Sequence, residues 1–341
     1  MTQVKNLNSL ETRFAEALQT THISVDQKVY AVALSGGGDS MALLHILSHV
    51  LGPKNVVALH FNHNLREESA SEALWVKEQC DLLGVHCYVG AWQDPATKGN
   101  IQQQARQARY TFLAQACKEQ GGEAFCVAHT ADDVLETFLM RLGRGSGIKG
   151  LAAMKRIGEM HGVQLLRPLL SFTRQELRDY LVLHAVSYLD DPSNENEKYL
   201  RVRLRQQKEL FENAGLGSEA LLASAHSLRR AEEALEMEAN RLWGKYAAHD
   251  SKGVTLSASF LAEPEEMQLR LLEKALLETQ PAPMAPRTSK RLLMLARMAE
   301  QDLPATLGGC IVHCTDSGFL FLPEKGAEKV KKTCGADSRT V

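Results

Sequence analysis

Lys28-Val29-Tyr30-Ala31-Val32-Ala33-Leu34-Ser35-Gly36-Gly37-Gly38-Asp39-Ser40 runs from an apolar, partly β-branched stretch into a glycine cluster. It then leads into Met41, Leu44 and Leu47, which share one face of a helix. Strand, glycine cluster, helix is an arrangement that binds anions. The glycines let successive backbone N–H groups converge on one point. The helix adds four free N–H groups and the positive end of its dipole. Ser35 and Ser40 bring hydroxyl donors, so Ser35, Gly36, Gly37, Gly38, Asp39 and Ser40 form a candidate phosphate site. Asp39 would repel a phosphate unless a bridging Mg²⁺ intervenes, which makes it the metal candidate. The bland alternative is a glycine-rich turn with Asp39 capping the helix. Asp rather than Lys follows Gly38, which separates the loop from Walker A. Gly145, Gly147 and Gly150 also match GxGxxG, but they follow a helix, where a dinucleotide fingerprint follows a strand.

Outward from the loop, strand and helix signals alternate. Asn55 to Phe61 is a second strand, Ser69 to Leu83 a helix, Val85 to Val89 a third strand and Asn100 to Glu119 a long helix capped by Asn100. Ala124 to Ala128 is a fourth strand and Ala131 to Leu142 a helix. This βαβα order predicts an α/β fold, a doubly wound parallel sheet with helices on both faces. Ligands of such sheets sit at the carboxyl ends of the strands, where the glycine cluster and His129 fall. Thr173 to His184 is a helix with Thr173 and Glu176 as a capping pair, and Glu197 to Phe211 is helical and rich in arginine. The character changes near Gly215, so a catalytic domain of 1–215 is expected. A mainly helical accessory domain, 216–323, ends in a β-hairpin around Thr315 to Gly318, and 324–341 is a disordered tail.

The chain has 341 residues, enough for two domains, and a net charge of −2, so any nucleic acid must be held by a local basic patch. Its seven cysteines include no CxxC pair, and reduced thiols are the simplest reading. No stretch approaches the ~20 apolar residues of a membrane span, and no secretory signal is visible, so a cytoplasmic protein is expected.

The SGGGDS loop resembles that of the PP-loop ATP pyrophosphatases. Four further stretches narrow the resemblance. These are His60-Phe61-Asn62-His63-Asn64-Leu65-Arg66, Ala105 to Tyr110, His129-Thr130-Ala131-Asp132-Asp133-Val134-Leu135-Glu136-Thr137 with Arg141 to Leu151, and Asp190-Asp191-Pro192-Ser193-Asn194. Taken together, residues 28–205 are similar to the tRNA(Ile)-lysidine synthetase family. Two departures stand out: Thr130 where the family often has a second His, and Val202 where an Asn is common.

The resemblance implies a Rossmann-like PP-loop fold and cleavage of ATP to AMP and pyrophosphate, with Mg²⁺. A cytidine in the CAU anticodon of an isoleucine tRNA would be adenylated at its C2 oxygen, and the amine of free L-lysine would displace AMP. The same loop also serves tRNA thiolases, and a non-catalytic nucleotide-dependent RNA-binding module is a third reading. A homodimer is compatible with all three.

The implied roles fall as follows. The loop and His60 bind ATP. Arg106 and Arg109, three apart on a helix, either neutralise the α-phosphate or form a solvated face. Asp132, Asp133 and Glu136 either hold the lysine ammonium or simply suit the helix dipole. Asp133 is also placed among the catalytic groups. His129 either accepts the proton of the attacking amine or is a hydrogen-bonded structural histidine. Arg66, Arg141, Arg144, Lys149, Arg201 and Arg205 are candidate tRNA contacts. Three Trp and seven Tyr offer few stacking platforms, so recognition by shape and backbone is expected.

Overall fold

The computed structural model describes residues 2–19, 29–64, 68–92, 101–190, 200–249, 253–282 and 284–324. The Asn100 cap, Arg66, Asp191 to Asn194 and the tail from 325 lie outside the described residues. Two compact units divide the chain, Met1–Arg229 and Arg230–Val341.

The first unit runs α1 (Thr2–Gln19), β1 (Val29–Ala33), α2 (Gly38–Leu51), β2 (Val56–Asn62), α3 (Ser69–Leu83), β3 (His86–Ala91), α4 (Ile101–Glu119), β4 (Gly122–Cys126) and α5 (Ala131–Leu142). It continues through α6 (Ile148–Leu151), β5 (Ile157–Met160), β6 (Val163–Leu166), α7 (Arg174–Leu183), α8 (Leu200–Gln206) and α9 (Lys208–Asn213) into α10 (Ser218–Tyr246). The six strands form one sheet in the order β3-β2-β1-β4-β6-β5, parallel except for β5, which pairs antiparallel with β6. The central strands are apolar and buried, as a sheet covered on both faces requires. On one face α2 and α7 pack with Phe14 and Leu18 of α1; on the other, Tyr110, Leu113 and Cys117 of α4 cover Ala31, Leu59 and Phe125.

Three features escape the sequence reading. The helix α1 buries Leu10, Phe14, Ala17 and Leu18, an apolar stripe set among polar residues. The β5–β6 hairpin turns on His161 (φ 50) and Gly162 (φ 71), both left-handed, through a dipeptide that is a weak turn signal. The domain boundary, expected near 215, lies at 229/230 inside α10. The reason is packing: Leu221, Leu222, Ala225 and Leu228 of the first turns of α10 join Val134, Phe138 and Ala153 in a cluster of the first unit.

The second unit carries β7 (Ala247–His249), β8 (Val254–Leu256), α11 (Glu265–Thr279), α12 (Thr288–Ala299), β9 (Ala305–Leu307), β10 (Cys310–Thr315) and β11 (Gly318–Pro323). The expected hairpin is β10–β11, closed at Thr315↔Gly318. Around it the strands form an antiparallel sheet of five, β7-β8-β11-β10-β9, three of them only three residues long. Strands so short leave no readable alternation: β8 ends at Leu256, and a 3-10 turn holds Phe260 in the core. Inside this unit Arg270, only 7% exposed at its side chain, pairs with Glu232, Glu236 and Glu266.

Candidate active site

The strand order reverses direction at β1, whose neighbours are β2 on one side and β4 on the other. A doubly wound sheet opens its ligand crevice at such a switch point. The glycine loop leaves β1 and the His129 segment leaves β4, so both line that crevice. The adjacency is a tertiary fact, since Ser40 at the end of one motif and His129 at the start of the other are 89 positions apart along the chain.

The loop is held open by its own hydroxyls. Ser40 Oγ donates to Gly37 O (2.9 Å) and lies 3.1 Å from Ser35 Oγ, while the Ser35 and Gly37 amides point at these two hydroxyls (3.2 and 3.4 Å). Gly37 caps α2 without any side-chain cap, which leaves the helix N-terminus free for an anion. Leu189, just before Asp190, is stitched to the loop: its amide donates to Gly36 O (2.9 Å) and it bridges Gly37. Gly36 has φ +88, and a Cβ there would lie 3.0 Å from both Leu189 Cδ1 and Val76 Cγ2. Gly36→Ala is therefore expected to cost roughly 1–3 kcal/mol in strain and contact and to weaken ATP binding about tenfold or more. Calorimetric titration with ATP checks this; unchanged affinity would show that the loop shape does not govern the nucleotide.

Asp39, in the first turn of α2, faces Arg174 of α7, which the sequence reading missed. Arg174 Nε donates to Asp39 Oδ2 (3.2 Å), Nη2 to Asp133 Oδ1 (2.5 Å) and Nη1 to Glu136 Oε1 (2.7 Å). Its backbone amide donates to Asp132 Oδ2 (2.8 Å). One arginine thus joins the glycine loop to Asp132, Asp133 and Glu136 of the acidic helix. Its position is set by a capping box: Thr173 N donates to Glu176 Oε2 (2.7 Å), so Arg174 is the first residue of α7. The box was legible; the target of the arginine was not. Burial raises the Asp39 pKa, against the opposing pull of Arg174 and with further help from Asp133.

Asp133 also completes a capping box of α5, accepting from Thr130 N (2.9 Å) and Thr130 Oγ1 (3.0 Å). The carboxylate thus sits in the first turn of α5, where it also suits the helix dipole, alongside the contact with Arg174. Glu136, 4% exposed, takes Arg205 Nε as well (2.6 Å). Arg205, a candidate tRNA contact, is partly exposed and pairs with this carboxylate. Asp132, Glu136 and Arg205 form the polar end of a cleft whose walls include Leu135, Leu204 and Phe211.

His60 is buried on β2, with Nδ1 2.9 Å from Leu34 O, so it braces the strand end that feeds the loop. His129 sits 3.3 Å from Arg167 Nε, which donates to its Nδ1. Burial first, then Arg167, Arg106 and Arg109, lower its pKa to about 4 against the pull of Asp133. Arg167 thus engages one ring nitrogen of a neutral imidazole, the kind of contact expected of a hydrogen-bonded structural histidine. Arg106 and Arg109 both lie over the Tyr110 ring, at 4.8 and 5.2 Å, and their charge reaches His129 from α4. Arg141 donates to Gly150 O (2.7 Å); Arg144, Lys149 and Arg201 are exposed.

Burial is also the largest cause that lowers the pKa of His45 and His63 to about 4. Each of these three histidines is neutral when folded and titrates nearer 6.5 when unfolded. The unfolded chain therefore binds more protons between those values, so stability present above pH 6.5 is lost as pH falls towards 4. A denaturation midpoint followed across that window should fall steadily; a flat profile would mean the rings are solvated.

A family model described as a PP-loop domain matches residues 7–211. The tRNA(Ile)-lysidine synthase of Wolbachia pipientis wMel is 36% identical over 303 residues, covering 86% of this chain and 70% of the relative. That of Ruegeria pomeroyi is 39% identical over 244 residues, 71% of this chain and 58% of the relative. Among solved structures, the U34-tRNA thiolase NcsA from Methanococcus maripaludis, with its [4Fe-4S] cluster, superimposes with a TM-score of 0.56 at 17% identity. That match covers 68% of this chain and 80% of the thiolase, a likeness of fold alone.

Proposed function

Since the chain belongs to the tRNA(Ile)-lysidine synthase family of PP-loop proteins, we propose that it joins free lysine to C2 of the wobble cytidine of an isoleucine tRNA with a CAU anticodon. The observation that carries this reading is the bridge made by Arg174 between Asp39 and the pair Asp133 and Glu136. It makes one site of a phosphate-binding end and an acidic end. Four carboxylates there, Asp39, Asp132, Asp133 and Glu136, meet two guanidiniums, Arg174 and Arg205, which leaves a deficit of two positive charges. A cationic amine fits that deficit, and the apolar walls beside Asp132 and Glu136 fit the methylenes of a lysine.

In this reading the cytidine C2 oxygen attacks the α-phosphate and forms an O–P bond as the bond to pyrophosphate breaks. The neutral amine of lysine then forms a C–N bond at C2, the C2–O bond breaks so that AMP leaves with the oxygen, and the proton lost by the amine passes to solvent. The carbonyl oxygen is a poor leaving group, and adenylation turns it into a good one. The loop amides not already engaged and the start of α2 stabilise the departing pyrophosphate. Arg106 and Arg109 supply positive charge on the α-phosphate side. One carboxylate together with phosphate oxygens is an ordinary magnesium set, so Asp39 would hold Mg²⁺, which would neutralise the leaving charge.

The same reading places the protein in the cytoplasm and gives the second unit an accessory tRNA contact. No described helix is long and apolar enough to cross a membrane. The test is incubation with labelled lysine, ATP and the CAU transcript, followed by nucleoside analysis. Label in lysidine supports the reading; ATP cleavage that leaves the tRNA free of lysine would sink it.

A further inference from the structure

Among the described residues, the end of α5 gathers positive charge with which no carboxylate is ion-paired. Arg141, in the last turn of α5, donates from Nη1 to Gly150 O (2.7 Å). Arg229, in α10, donates from Nε to Ala153 O (2.9 Å). The two carbonyls are three residues apart, so both guanidiniums are pinned to one short segment after the RGSG loop. Arg229 Nη1 is buried and finds no acceptor. Burial, and then the charges of Arg229, Arg144 and Arg201, lower the Arg141 pKa, as crowding of like charges must. Among the described residues none of these four arginines forms an ion pair with Asp or Glu. Positive groups held together in this way favour an anion between them.

We propose that Arg229, with Arg141, Arg144 and Arg201, grips a backbone phosphate of the RNA substrate. This rests on the tRNA reading above and adds to it a residue and a place. Arg144 and Arg201 are exposed while Arg141 and Arg229 are half-buried, so the cluster is an open surface for a polyanion rather than a closed anion cage. The helix α8 ties this surface to the reaction. Arg201 and Arg205 lie one helical turn apart: Arg201 joins the cluster, and Arg205 binds Glu136 of the acidic end. A phosphate held at the cluster therefore sets the RNA at a fixed distance from the catalytic carboxylates. Sequence inspection passes over Arg229 because it sits in a Glu- and Arg-rich helix, where an arginine usually belongs to a solvated face.

Arg229→Gln and Arg229→Lys in the full chain test this with a CAU-anticodon tRNA transcript. For Arg229→Gln the KM for tRNA should rise about tenfold, with kcat and the KM for ATP held. The slope of log affinity against log salt should become shallower by roughly 0.7–1. Arg229→Lys, which keeps the charge, should recover most of the slope. An unchanged KM and slope in an Arg229→Gln protein of lowered melting temperature would overturn the proposal, leaving a structural staple to Ala153. Should Arg229→Gln fail to fold, Arg144→Gln, at an exposed site, must show the same loss, and no change there overturns it equally. If the parent chain binds the transcript with this salt dependence yet forms no lysidine, the surface stands and the reaction assigned above falls.

Discussion

Arg174→Ala is expected to lower lysine transfer about a thousandfold and to destabilise the first unit by roughly 3–5 kcal/mol. Its side chain is 16% exposed and holds three carboxylates, of which Glu136 alone keeps a second guanidinium. Without it, Asp39 and Asp133 face one another across a half-dry space. Melting of the variant should drop by on the order of 10 °C. The pH dependence has a definite sign. Asp39 already titrates above its ordinary range through burial, and Arg174 is the main force holding it down. Removing that cation raises the Asp39 pKa further, so the acid limb of residual activity should move to higher pH. Adding Asp133→Asn should restore melting but not turnover, which separates the structural part of the loss from the catalytic part. Full activity in Arg174→Ala would mean that the joined acidic site is not the site of reaction.

Asp39→Ala should abolish ATP cleavage, with a loss of about a thousandfold or more, and should leave melting unchanged or raised. Asp39 is a partly buried carboxylate whose charged form is disfavoured, and Arg174 keeps Asp133 and Glu136 when it goes. Pyrophosphate release, measured with the tRNA transcript and a magnesium series, is the direct readout. Retained turnover at low magnesium would remove the metal role from this residue. A collapsed fold would show instead that Asp39 serves as a structural partner of Arg174.

The phosphate loop, the alternation of strand and helix and the capping pair at Thr173 and Glu176 were all legible in the chain, because each depends on neighbours within a few residues. A glycine cluster after a buried strand shapes its own backbone, and a Thr three residues before a Glu closes its own box. The helices Ser69–Leu83 and Ala131–Leu142 have the bounds expected from their apolar spacing. Roles that rest on partners elsewhere were less legible. Arg205 looked like an RNA contact and is held by Glu136, 69 residues away. His129 looked equally like a base or a brace, and Arg167, 38 residues on, inclines it to the brace.

What the order of residues determined alone is therefore the local shape: a glycine-rich bend, a parallel sheet around it and an acidic first turn at the head of α5. Only the tertiary structure decided which charges meet. Arg174 is 135 residues from Asp39 and 38 from Glu136, yet its guanidinium touches both. Hydrogen bonds close a turn over three or four residues and so leave a pattern in the chain. An ion pair leaves none, because its strength depends on distance and desolvation in the folded molecule and not on separation along the backbone.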